Sequence, residues 1–384
     1  MKHFKIVKLT GFFLFFVLFS CKTSFYTEKI SDSTEKKNGI IYALPKTKII
    51  ADIEITKKVK QKGIFSDFTH LYFNTKNAIM KNETKYFISD ISITTTPILD
   101  SSQIYRIVAS GNLNPLLLNL SKENFISGIN LNDIQAGKVN NGQNSEKNND
   151  AKTNISDYAD ISLYSVREIQ YDTLYKEVLK DSVMIKIPVI RKKEVYKSKA
   201  KQAKETANII FNLRDDRYAL LTGENDGNNF PDGNALKTMI KELSELEKKY
   251  MSLFTGKELK SKKTYRFEYI PENNSDSIKK TLFYFSEKKG ITKDTSEMPV
   301  TMKIINNKTA PEEIFENKKE IKGIVYRIPN KASIKLVSEK NELCKTSVFI
   351  SQFGSLNLLP SSLFKDKITV EFYPEYGSLK RISK

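Results

Sequence analysis

The sequence predicts an α+β protein: β-rich, antiparallel, sandwich-like modules with an amphipathic helical hairpin inserted between them. Three observations carry that prediction. Ile49, Ala51, Ile53 and Ile55 alternate with Asp52, Glu54 and Thr56, the period of a half-buried strand. Leu236, Met239, Ile240, Leu243, Leu246, Tyr250, Leu253 and Phe254 recur at helical spacing along one face. From Tyr265 to Ile382, short runs rich in Ile, Val, Tyr and Phe return at regular intervals, as in a sheet built of many short strands.

The chain opens on a leader. Lys2, Lys5 and Lys8 precede an apolar run from Leu9 to Phe19, and Ser20 supplies a small residue beside a cleavage point, so residues 1–20 read as a secretory signal. About ten apolar residues at about 1.5 Å each fall short of a bilayer's hydrocarbon core, so the run is not a span. Leu18-Phe19-Ser20-Cys21 resembles a bacterial lipobox, which makes Cys21 the lipidation site and leaves the mature chain moored by acyl chains. Residues 21–38 are mostly Ser, Thr, Lys and Glu and read as a flexible tether between that anchor and the folded body.

Residues 39–195 form an N-terminal β-rich region. Beyond the alternating strand around Ile53, the stretches Tyr86 to Thr96 and Gln103 to Ala109 are rich in Ile, Thr and Tyr, with Pro97 and Asp100 between them as turn residues. Asn, Gly and Lys dominate 132–154, which buries too little to offset its ordering entropy and is predicted disordered. Extended character returns from Ile161 to Val195, most clearly at Val183-Met184-Ile185-Lys186-Ile187-Pro188-Val189-Ile190.

Residues 196–256 hold the helical hairpin. Ala203, Ala207, Ile210 and Phe211 line its first helix, which Gly223 caps, while Asp232 caps the start of the second and Gly256 ends it. The sheets are the surface these helices are expected to cover. Residues 257–384 form a C-terminal β-rich module that closes on a hairpin around Glu375-Tyr376-Gly377. Gly39-Ile40-Ile41-Tyr42-Ala43-Leu44-Pro45 and Gly323-Ile324-Val325-Tyr326-Arg327-Ile328-Pro329 echo each other at Gly, Ile, Tyr and Pro, the pattern of two related β modules.

Chemistry is sparse. Of two histidines, His3 lies in the leader, which leaves His70 alone and removes multi-histidine metal sites. No Gly-x-Ser-x-Gly elbow, phosphate-binding glycine loop or dinucleotide fingerprint occurs. Ser-x-x-Lys pairs such as Ser198/Lys201 and Ser286/Lys289 lack the companion motifs of a serine-lysine enzyme. The acidic loop from Glu224 to Gly233 has the alternating oxygens of a calcium loop. Counted from Asp226, however, Phe230 and Pro231 occupy the places of a ligand and of the obligatory glycine, so it reads as a polar turn. No catalytic residue, cofactor or metal is assigned. With Cys21 lipidated, Cys344 has no partner for a disulfide, so packing must hold the fold. The formal charge of +18 is spread over loops and strands alike and no nucleic-acid module accompanies it, so nucleic acid is not a predicted partner.

Several stretches resemble one family, the Bacteroidota envelope lipoproteins grouped as domain of unknown function 4831. They are Tyr42-Ala43-Leu44-Pro45-Lys46-Thr47, Leu220-Leu221-Thr222-Gly223, Phe230-Pro231-Asp232-Gly233, the run from Leu246 to Gly256, Tyr326-Arg327-Ile328-Pro329 and Gln352-Phe353-Gly354. The resemblance covers nearly everything from Gly39 onward apart from the Asn-rich insertion, and it implies one recurring architecture without an assigned activity. By analogy with lipoprotein sorting, Lys22 after the anchor implies the outer membrane. The lack of acidic residues in Lys22-Thr23-Ser24-Phe25 favours its periplasmic face over the cell surface.

The expected function is a non-enzymatic binding or structural role in the envelope, membrane-attached by lipid, with an envelope protein or glycan as partner. The alternative is a carboxylate-dependent hydrolase of envelope glycan or peptide. Cys21→Ser is predicted to abolish incorporation of labelled fatty acid and leave the precursor uncleaved or soluble; labelling that persists on gels would refute the anchor.

Overall fold

The computed structural model describes residues 24–30, 38–110, 118–131, 166–180, 183–224, 233–273, 275–312, 320–339, 341–365 and 368–384. The leader, Cys21, the 132–154 insertion and Asp232 lie outside these. The first half contains β1 (Ser24–Lys29), β2 (Ile40–Gln61), α1 (Thr69–Tyr72), β3 (Glu83–Ser110), β4 (Leu118–Leu120) and β5 (Ile126–Ile129). Next come β6 (Arg167–Lys180), β7 (Val183–Tyr196), α2 (Lys199–Thr222) and α3 (Gly233–Thr255). The last part holds β8 (Lys257–Tyr269), β9 (Ser277–Ser286), β10 (Gly290–Thr292), β11 (Met298–Asn306), β12 (Gly323–Ser338), β13 (Asn341–Pro360), β14 (Thr369–Tyr373) and β15 (Ser378–Ser383).

These strands form sheets ordered β1-β3-β2-β8, β10-β9-β11-β12-β13 and β15-β14-β5-β4, while β6 and β7 pair with each other. The strand pairs are antiparallel, as the period-two pattern predicts. Ile49, Ala51, Ile53 and Ile55 are buried against Val300, Met302, Ile304 and Leu336 of the second sheet. On the opposite face of β2, Asp52 receives Arg266 at 2.8 and 3.0 Å and Glu54 receives Lys262 at 2.9 Å. A second core gathers Tyr42, Leu44, Tyr105, Ile107, Ile126, Ile324, Val370 and Phe372.

Both long hairpins pass from one core to the other, and each does so through the same irregularity. In β2–β3, Ala43 pairs with Ile104 and Pro45 with Leu99, so residues 100–103 stand opposite Leu44 alone. In β12–β13, Ile328 pairs with Ser355 and Asn330 with Ile350, so residues 351–354 stand opposite Pro329 alone. Such a bulge rotates the strand and changes which side chains face inward. Before it, Tyr42 and Leu44 point into the second core; after it, the odd-numbered Ile49 to Ile55 point into the first. The two Gly-to-Pro segments that echo in sequence thus sit at like places in like hairpins. Gly354 is required there by close approach, since a Cβ would lie 1.7 Å from the Ile328 carbonyl oxygen.

The hairpins are bound to each other at these bulges. The Tyr42 hydroxyl donates to the Val325 carbonyl at 3.1 Å and accepts from the Val325 N–H at 3.0 Å. The Gln352 side chain accepts from the Thr47 N–H at 2.8 Å and donates to the Thr47 and Pro271 carbonyls at 2.9 and 3.1 Å. Arg327, 4 % exposed, donates to the Pro45 carbonyl at 2.8 Å and to Asp100 at 3.1 Å, and Lys46 lies 3.2 Å from the same carboxylate. Burial alone would raise the Asp100 pKa, but the Ser102 hydroxyl and the Arg327 charge outweigh it and hold the carboxyl below its ordinary 3.8.

The tether expectation fails over part of its length. β1 pairs with β3 from Ser24↔Ser110 to Lys29↔Tyr105, with Phe25 and Thr27 buried and Glu28 on Arg106 at 2.8 Å. Six residues that could not fold alone can still complete an existing sheet edge, because β3 supplies the hydrogen-bond partners and Arg106 neutralises the inward acid.

Replacing Arg327 by Met should lower stability to urea at pH 7 by about 3 kcal/mol, since Asp100 then keeps only Lys46 as a cation. Because the folded Asp100 pKa is depressed, its contribution is present above the unfolded value and is lost as pH falls through the folded one. Asp100→Asn should therefore flatten the acid limb of the stability curve, and an unchanged limb would refute the assignment.

Candidate interaction surface: a two-stranded ribbon and a helix pair

β6 and β7 run antiparallel in unbroken register from Arg167↔Tyr196 to Lys180↔Val183. Their Ile, Val, Leu and Tyr content explains the strands, and at roughly 3.4 Å per residue fourteen residues extend about 48 Å. Neither strand joins any other sheet among the described residues. One face carries Tyr171, Tyr175, Leu179, Met184 and Ile190, the other Leu174, Ile185, Ile187 and Val189. Tyr171 and Ile190 are each 70 % exposed, and all the others named are exposed as well. Apolar residues on both parities normally mark a strand buried on both sides. Here the pattern stands in solvent.

Charged side chains run along the ribbon, with Lys186 3.5 Å from Glu177 toward its tip, and those at its root tie it to α2. Arg167 lies over the Tyr196 ring at 5.2 Å and 3.7 Å from Glu194, Glu168 pairs with Lys201, and Lys197 pairs with Glu205 at 2.9 Å. The Lys197 N–H donates to the Val166 carbonyl at 2.9 Å, so the two ends of the ribbon meet where α2 begins. Ser198 caps α2 by accepting from the Lys201 N–H at 3.2 Å, which gives the Ser198/Lys201 pair a structural explanation.

Gly223 ends α2 at φ 75°, as its position predicts. The helices do not cover the sheets. Ala203, Ala207, Ile210, Leu213, Tyr250, Leu253 and Phe254 pack instead on Phe65 and Phe73, in the link between β2 and β3. The α-helical period predicted which side chains share a face but not which surface receives them. The buried side chains of α3 are confined to its C-terminal end, from Tyr250 to Phe254. Toward the far ends, Glu247 is gripped by Arg214 at 2.7 Å and by Arg217. Burial opposes the charge on Glu247, yet the two guanidinium hydrogen bonds prevail and lower its pKa. A shallow hollow of about 360 Å³ lies along α3 between Met239, Leu243 and Leu246. Tyr218 and Leu221 on α2 are exposed.

Two further hollows lie elsewhere. One of about 560 Å³ is lined by Lys60, Ile79 and Thr255, another of about 500 Å³ by Glu371, Lys380 and Arg381. Among the described residues no group of three His, Cys, Asp or Glu side chains could hold a metal ion, and no helix is long and apolar enough to cross a membrane. His70 is exposed on α1. Cys344 is partly buried and unbridged, and burial, aided by the Asp90 and Glu342 charges, pushes its thiol pKa up.

Fold and surface together define a β-rich antiparallel protein with three α-helices among its described residues and an apolar ribbon held outside its sheets. The chain belongs to the family described as Domain of unknown function (DUF4831), whose model matches residues 38–163 and 189–380, most of the length. The interval between the matched spans holds β6 and the first part of β7. No curated protein and no solved structure matches the chain.

Replacing residues 167–196 by a short Gly-Ser link should leave the urea midpoint of the body within about 0.3 M, because no core side chain is lost. A large drop in that midpoint would show that the ribbon supports the fold.

Proposed function

We propose that this protein is a lipid-anchored component of the cell envelope, attached through Cys21 at the periplasmic face of the outer membrane. There it acts as a non-enzymatic binding or structural module. Its body is read as two sandwich-like β modules with the 196–256 helical hairpin inserted between them, and the ribbon as its contact element.

The observation that carries this reading is the exposure of Tyr171, Tyr175, Leu179, Met184 and Ile190 on one side of a ribbon that pairs with no other sheet among the described residues. Contiguous apolar surface that a chain does not cover with itself marks an interaction site, and Tyr and Met are residues enriched in such sites. A membrane-inserted ribbon is a poorer reading, since two free strand edges would lose their water in hydrocarbon without gaining partners. Support for the anchor comes from Leu18-Phe19-Ser20-Cys21 and the leader before it. The carboxylates of Asp52, Glu54, Asp100 and Glu247 are each engaged by Lys or Arg, which suits structural ion pairs better than acid–base work.

The test is photo-crosslinking in cells. A photoreactive residue in place of Tyr171, Tyr175 or Ile190 should yield discrete adducts with an envelope protein or glycan, while one in place of Thr94, on the polar outer face of β3, should yield none. Equal labelling from all four positions, or none from the ribbon, would remove the proposal.

A further inference from the structure

We propose that the free edge of β6 pairs with β6 of a second copy of this chain, antiparallel about a two-fold axis at Leu174. The ribbons then join as a four-stranded sheet ordered β7-β6-β6-β7. This goes beyond the binding role and does not depend on what the apolar faces contact.

The first ground is the state of the ribbon by itself. A two-stranded hairpin with both faces in water is at best marginally stable, and three or more strands are needed for independent stability. β6 and β7 are such a hairpin, with no further strand on either edge among the described residues. The second ground is that the two edges differ. β7 carries Pro188, which has no N–H to offer a new strand, and the run Arg191-Lys192-Lys193, both devices that blunt an edge. β6 runs from Arg167 to Lys180 with neither proline nor glycine. Pairing through β6 therefore closes at two copies, because only blunted edges remain outside, and a closed two-fold is the commonest symmetry of oligomers.

Charge and shape select the register. Centred on Leu174, Asp172 of each copy stands directly opposite Lys176 of the other, Ile169 opposite Leu179 and Leu174 opposite itself, with every side chain kept on its own face. Asp172 and Lys176 are exposed and form no ion pair among the described residues. Centring on Thr173 or Tyr175 forfeits the charge match, whereas centring on Asp172 or Lys176 sets like charges against each other, which disfavours a cross-strand pair. One register thus satisfies two charged residues twice over.

The full chain, purified in mild detergent, should sediment as a dimer. Lys176→Asp should weaken that dimer about tenfold or more, by facing Asp172 with a second acid, and adding Asp172→Lys to it should restore the dimer. On a Cys344→Ser background, Leu174→Cys should give a covalent dimer on mild oxidation, whereas Gln170→Cys should not, because residue 170 faces residue 178. A wild-type monomer overturns the proposal, whether alone or carrying another protein on that edge. So does a dimer indifferent to both charge variants, and so does crosslinking through residue 170 in place of 174.

Discussion

Arg327 joins the two halves of the β body at the place where both must bend. Its guanidinium reaches the Pro45 carbonyl and Asp100, one on each strand of the N-terminal hairpin, while the residue itself belongs to the C-terminal one. A buried arginine is costly to desolvate, and its surroundings offset that cost only with well-placed acceptors. These acceptors exist because the bulges interrupt ordinary pairing there and leave backbone and carboxylate oxygens available. The Tyr42–Val325 exchange and the Gln352 amide on Thr47 extend the same junction, so that two cores with different inward parities share continuous strands.

Two elements that follow each other along the chain stand apart from the sheets of the closed body. The ribbon leaves and returns at the start of α2, and the helix pair is rooted on Phe65 and Phe73 away from the sheets. The body's outer β face is laced with ion pairs such as Asp52–Arg266 and Glu54–Lys262, which suit a wetted surface. Exposed apolar side chains are scattered over the body, as at Ile41, Leu99 and Phe349, but they stand in long rows on the ribbon, and a smaller apolar groove runs along α3. The family match covers the helices and the body from residue 38 to 380 but skips β6 and the first part of β7, so the ribbon lies largely outside what the family shares. A surface for contacts particular to this protein would be carried there.

Much of the β body was legible in the sequence. Alternation at Ile49 to Ile55 named the inward side chains of β2, the Gly223 cap ended α2 at the right residue, and Glu375-Tyr376-Gly377 marked the closing turn, with Gly377 at φ 68°. The β1 strand was not legible, since Ser, Thr, Lys and Glu predict solvent until an edge and Arg106 are supplied from far along the chain. The ribbon was read as extended but not as exposed. Its signal was the presence of apolar residues on both parities without a helix or second sheet to cover them, and periodicity alone cannot tell a doubly buried strand from a doubly bare one.

The amino-acid order determined by itself what depends on neighbours a few residues apart: strand and helix periods, caps and turns. The fold decided what depends on residues about three hundred positions apart, such as Tyr42 meeting Val325 or Thr47 meeting Gln352. It also decided which apolar faces were covered and which were left in water. Local periods are dictated by backbone geometry, which every residue carries with it. Burial depends on which surfaces happen to meet, and no short window of sequence contains both partners.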